Sequence, residues 1–115
     1  MALVIENSEL KPGVVVIRLA GKLMLGPEGQ RVETLVAELL GQGQKNFIFE
    51  LSGLTHIDST GIGRFISSFN KVRQAGGIMR MAGATGQVRE GFRVTRLDTV
   101  FKFLPDVETA SQGLA

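Results

Sequence analysis

A chain of 115 residues with 13 basic and 11 acidic side chains, a net charge of +2 and 43% hydrophobic residues is sized for one domain, residues 1–115, with an ordinary buried core. No run approaches the roughly 18 continuous apolar residues of a membrane span. The absence of cysteine excludes disulfides and thiolate metal sites, and a single histidine excludes a histidine-built metal cluster.

Leu3–Ile5 reads as a short first strand, Lys11-Pro12-Gly13 as a turn, and the β-branched run Val14–Leu19 as a second strand that Gly21 ends. Gly26-Pro27-Glu28 opens a helix, because proline suits the first turn and an acidic side chain suits the positive end of the dipole. Its Val32, Leu35, Val36, Leu39 and Leu40 share one face, and Gly41-Gln42-Gly43 stops it. Asn46–Leu51 is a third strand, apolar enough to be buried on both faces, and Ser52–His56 follows as a short turn. Ile57–Gly63 then leads into a helix-periodic run, Ile62–Val72, expected to bury Ile62, Phe65, Ile66, Phe69 and Val72 before Gly76-Gly77 ends it. Ile78–Ala82 is a fourth strand. The small-residue loop Gly83–Gly86 precedes a helical stretch at Gln87–Val94. Val100–Phe103 reads as the last strand, and Asp106–Gly113 as a helix behind Pro105. The order ββαβαβαβα implies a single α/β domain, a small mixed and mostly parallel β-sheet with helices packed on it.

In such sheets functional groups gather where strand ends hand over to helix starts. Ile57-Asp-Ser-Thr-Gly-Ile-Gly63 occupies one of these handovers and places Ser59 at or next to a helix N-terminus, where it could be a cap, a nucleophile or a phosphate acceptor. A hydrolytic triad is disfavoured: His56 is the only imidazole, it lies three residues away on the same turn, and no Gly-x-Ser-x-Gly elbow is present. Neither Gly83–Gln87 nor Gly61–Gly63 has a Walker or dinucleotide fingerprint. Asp58 lacks an acidic partner nearby in sequence. Direct nucleic-acid binding is not expected, since there is no Tyr or Trp to stack bases and the basic residues gather only loosely at Arg89, Arg93 and Arg96. A reversible modification fits: a phosphate on Ser59 could be held by free N–H groups near Gly61 and Ile62, with its main effect on a docked partner. Capping by Asp58 or Ser59 is compatible with that use. The N-terminus has no targeting pattern, so the chain is expected to be complete and cytoplasmic.

Phe49-Glu-Leu-Ser-Gly-Leu-Thr-His-Ile-Asp-Ser-Thr-Gly-Ile-Gly63 closely resembles the signature of the STAS domain family, specifically the bacterial anti-sigma factor antagonists. Gln74–Ala82 and Thr95–Phe103 extend the likeness over nearly the whole chain. The resemblance implies a regulator that is not an enzyme. It binds an anti-sigma factor that is also a serine kinase, is switched off by phosphorylation of Ser59, and is reset by a phosphatase, thereby controlling transcription by partner switching. It further implies that Asp58, Thr60, Gly61, Ile62 and Gly63 meet the partner. No cofactor, metal or direct nucleic-acid partner is expected, and the chain is expected to be a monomer or weak dimer. Two departures stand out. Gly21-Lys22-Leu23-Met24 has Met24 where the family usually has Asp, and Arg64 stands at a usually aliphatic place. Lys22 or Arg64 is therefore expected to neutralise a phosphate on Ser59 or, with Met24, to select an unusual partner. The alternative is a non-switching STAS scaffold, or a soluble interaction subunit of a larger signalling or transport assembly.

Overall fold

The computed structural model describes residues 3–114. Its sheet begins with a hairpin in which β1 (Val4–Lys11) and β2 (Val14–Leu23) pair antiparallel. β3 (Asn46–Ile57), β4 (Ile78–Ala82) and β5 (Lys102–Leu104) then add in parallel, giving the order β1-β2-β3-β4-β5. The connections are α1 (Pro27–Gly41), α2 (Ser59–Gln74) and α3 (Gly86–Val94) with a 3₁₀ turn at Leu97–Thr99, and α4 (Val107–Ser111) closes the chain. The result is the expected single α/β unit with a mixed, mostly parallel sheet.

The first three strands are longer than their sequence suggests. β1 extends to Lys11 because its ladder with β2 holds a mostly polar, exposed segment that alone reads as loop. Gly21 does not end β2; at φ 95° it carries the strand through an irregularity to Leu23. Ser52–His56, expected as a turn, belongs to β3. There the ladder with β2 shifts register twice, between Arg18 and Ala20 and between Gly21 and Lys22, so that β3 carries one extra residue each time. The core-facing residues of β3 consequently run Leu51, Leu54, Ile57, a spacing of three that hides the strand's usual period of two.

Two apolar layers flank the sheet. The larger one packs Val15, Ile17, Leu19, Phe47, Phe49 and Leu51 against buried residues of α1, α2 and α3. The smaller sets Val14, Val16, Ile48 and Ala82 beneath Ala110 and Leu114 at the C-terminal end. α1 buries Val32, Val36 and Leu39 as its periodicity predicts. α2 turns a different face inward. Gly61, Phe65, Ser68 and Val72 are buried, Ile62 and Phe69 are half-buried, and Ile66, expected in the core, faces solvent at 38% exposure. The last strand begins at Lys102, two residues later than expected, because Val100 falls in the turn at 50% exposure and Phe101 plugs the core. The final helix is shorter than Asp106–Gly113: Asp106 caps it by accepting from the Thr109 N–H at 2.8 Å, and it ends at Ser111.

Phenylalanine rings join α2, α3 and the β5 segment to the sheet. Phe92 lies edge-on to Phe65 (5.5 Å between centroids) and Phe101 (5.7 Å), and beside Phe103 (5.2 Å), while Phe65 meets Phe49 at 5.2 Å. Each such pair adds about 0.5–1.5 kcal/mol beyond area burial. Phe92→Ala is expected to destabilise the domain by about 3–5 kcal/mol, measured by urea unfolding; a loss under about 1 kcal/mol would contradict this account of the core.

Candidate functional site

β2 and β3 end side by side at Leu23 and Ile57, and the chain passes from β3 into α2 through one residue, Asp58. Asp58 has extended backbone and is the N-cap of α2. Its carboxylate Oδ1 accepts the Gly61 N–H at 2.9 Å, and its carbonyl accepts the Ile62 N–H at 2.9 Å. The other oxygen, Oδ2, accepts the Leu25 N–H at 2.8 Å from the loop between β2 and α1. Burial raises the Asp58 pKa, but the N–H groups of Gly61, Leu25 and Thr60 outweigh it and hold the carboxyl below its ordinary value.

These bonds correct one expectation. The N–H groups of Gly61 and Ile62 are not free for a phosphate, because Asp58 already occupies both. Gly61 is also fixed by space. A Cβ there would lie 2.3 Å from the Leu23 carbonyl oxygen and 2.8 Å from the Ile57 side chain, so the first turn of α2 rests directly on the end of β2. Gly63 is the opposite case: it is exposed, and a Cβ there would meet nothing within 4 Å.

Ser59 is the first residue of α2 and is exposed; Thr60 beside it is half-buried. His56 is not directed at Ser59. The Thr55 hydroxyl donates to the Gly21 carbonyl at 3.0 Å, so His56 Nδ1, 2.9 Å from the same hydroxyl oxygen, carries the proton and donates to it. Lys22 is exposed on β2 beside His56 and makes no ion pair among the described residues. Arg64 is brought elsewhere: its guanidinium pairs with Glu33 of α1 at 3.1 Å, where Ser67 (3.2 Å) and Lys71 (4.0 Å) also meet Glu33. Met24 is exposed, and the neighbouring Leu25 is 81% exposed.

Leu25 and Glu33 are the two residues that the sequence alone did not single out. Leu25 could have been noticed as a leucine directly before the Gly-Pro of a helix start; Glu33 carries no local signal, since its partners are more than 30 residues away. Two members of the loose basic cluster are tied down as well, and Arg96 is exposed. Arg89 stacks on Phe103 at 4.3 Å and faces Asp98 at 3.9 Å, and Arg93 pairs with Glu90. Among the described residues no group of three His, Asp or Glu side chains converges as a metal site, and no helix is long and apolar enough to cross a membrane.

The family model of the STAS domain matches residues 7–110. Three solved structures share the fold at low identity. A candidate anti-sigma factor antagonist from Thermotoga maritima superposes with a TM-score of 0.85 at 18% identity, covering 94% of this chain and 92% of the other. The Bacillus cell fate determinant SpoIIAA in its phosphorylated form gives 0.75 at 18%, covering 95% and 98%. A sulfate transporter family protein from Wolinella succinogenes gives 0.76 at 15%, covering 90% and 85%.

The site makes two stability predictions. Asp58→Ala is expected to cost about 1 kcal/mol as a lost cap, and more if the Leu25 loop loosens with it. Because the folded-state pKa is lowered from 3.8, the Asp58 contribution is full above that value and lost as pH falls through the lower folded one. The gap between wild type and Asp58→Asn should therefore narrow on acidification below pH 3.8, which thermal melts across pH 2–6 would show. The two glycines should split in sign. Gly61→Ala destabilises the fold, whereas Gly63→Ala stabilises it by about 0.5–1 kcal/mol. Equal effects in chemical denaturation would refute the packing described.

Proposed function

This chain belongs to the STAS domain family, and we propose that it is an anti-sigma factor antagonist whose binding to an anti-sigma factor with serine-kinase activity is switched off by phosphate on Ser59. The observation that carries the reading is the placement of Ser59: first residue of α2, exposed, and aligned by the Asp58 cap that fixes the start of the helix. A phosphate there adds about −1.5 to −2 charges. The nearest helix N–H groups are engaged by Asp58, and Arg64 is engaged by Glu33, so the new charge stands beside an existing carboxylate with little to offset it. Its effect falls on whatever docks over this surface, through repulsion and desolvation, and the domain itself keeps its fold. That a structural relative, SpoIIAA, occurs in a phosphorylated form agrees with this use of the fold.

The docking surface would centre on Ser59 and take in Asp58, Thr60, Ile62 and Gly63 together with Lys22 and Met24, while Gly61, expected there, is buried against the end of β2 and seats the helix beneath that surface. Leu25 is its anchor: a largely exposed leucine whose backbone is pinned by Asp58 is a side chain displayed at low entropic cost. In this reading the chain is a kinase substrate and regulator of transcription in the cytoplasm, not an enzyme, and a phosphatase resets it. A second reading, a non-switching module of a signalling or transport assembly, has one observation in its favour: Met24, a neutral side chain, stands where the antagonists usually carry an acid.

Incubation with the kinase, ATP and magnesium should add one phosphate to the wild type and none to Ser59→Ala, read by intact mass. Ser59→Asp should weaken kinase binding at least tenfold by calorimetry, and Ser59→Ala should bind constitutively. Leu25→Ser should weaken binding by about 1–2 kcal/mol while leaving the melting temperature unchanged. Complex formation indifferent to charge at position 59 would favour the second reading.

A further inference from the structure

β1 is one of the two edge strands of the sheet, and α1 faces it across a cleft. Between them runs a groove of about 320 Å³ lined by Ile5 and Asn7 of β1 and by Arg31, Thr34, Leu35 and Glu38 of α1. Beyond the β2 ladder, no backbone hydrogen bond reaches β1 from another segment among the described residues. Its outward N–H and C=O groups therefore offer a template for one more strand. The template is bounded. A register shift between Glu9 and Lys11, followed by Pro12, closes it at one end, leaving Val4–Glu9 as the usable edge.

The groove has a direction. β1 is antiparallel to β2, and α1 is the crossover between the parallel strands β2 and β3, so β1 and α1 run the same way. Arg31 thus flanks the start of β1, and Glu38 flanks its end, where Glu9 adds a second carboxylate. Leu35 and Ile5, both half-buried, form an apolar floor between these charges. Arg31 and Glu38 are seven residues apart, about 10.5 Å along a helix. Side chains on one face of a strand, four residues apart, are about 13 Å apart, within the slack of a lysine stem. A second copy of the chain is a poor occupant, because its Val4–Glu9 edge carries Glu6 and Glu9 and no basic side chain to set against Glu38.

We propose that this groove takes an extended segment of a partner protein as a sixth strand antiparallel to β1, with a basic side chain toward Glu38 and Glu9, an aliphatic one on Ile5 and Leu35, and an acidic one toward Arg31. The site is separate from the Ser59 surface and does not depend on the switch proposed there.

The test titrates the isotopically labelled full chain with acetyl-Thr-Lys-Thr-Val-Thr-Glu-Thr-amide and with the charge-exchanged peptide in which Lys and Glu trade places. Saturable amide shifts at Val4–Ser8 and along Arg31–Glu38, with the first peptide binding at least threefold tighter, are expected. The double variant Arg31→Glu, Glu38→Lys should reverse that preference while keeping the wild-type melting temperature. Absence of shifts on β1 at millimolar peptide, or equal affinity for the two peptides, overturns the proposal. Concentration-dependent β1 shifts without peptide, together with a dimer in sedimentation, also overturn it and assign the edge to a second copy.

Discussion

The Asp58 carboxylate is where the architecture and the candidate site depend on one interaction. One oxygen closes the first turn of α2, and the other holds the loop that leads from β2 into α1. Two helices on the same face of the sheet are thereby indexed to a single side chain at the end of β3. Both bonds are made to backbone N–H groups, so neither requires a particular side chain at Leu25 or Gly61. What the arrangement does require is the close seat of Gly61 on the Leu23 carbonyl, because a helix start displaced by a methyl group would carry Ser59 and the cap away together. Position and exposure of the serine are consequences of that seat.

Glu33 performs a related service farther along. With Arg64, Ser67 and Lys71 gathered on it from three positions on α2, the two helices are joined by polar contacts above an apolar layer. Arg64 is largely covered, and its Nε has no hydrogen-bond partner, which makes the pairing at its other nitrogen the interaction that justifies burying it. The residue that breaks the family's aliphatic habit at that place is thus a structural substitute that replaces packing with an ion pair. It also removes Arg64 from the short list of cations that could offset charge at Ser59, and leaves Lys22 on that list.

Element order, the parallel sheet and the strand-to-helix handover at Asp58–Ser59 were all legible in the chain, because the apolar periods of α1, β2 and the first half of β3 are regular and their breakers are glycines and proline. What escaped was set by partners distant in sequence. β1 owes its length to β2, and the inward face of α2 is chosen by where Gly61 must sit, which turns Ile66 out and Ser68 in. The N–H groups that a local reading left free are consumed by a carboxylate whose second bond reaches back 33 residues. Long-range pairing decides these points, and no window along the chain contains it.

The two register shifts between β2 and β3 each set two residues of β3 against one of β2, so inward positions fall at every third residue and Leu51, Leu54 and Ile57 all reach the same layer. The doubled residues, Ser52 with Gly53 and Thr55 with His56, lie between those inward positions. Each irregularity can therefore close on its own. Loss of one codon from either pair would restore plain alternation there, keep every later side chain on its face and still deliver Asp58 to the helix on the proper side. Relatives that differ in length here should differ by single residues at these two places, and a loss at Leu51, Leu54 or Ile57 should be absent.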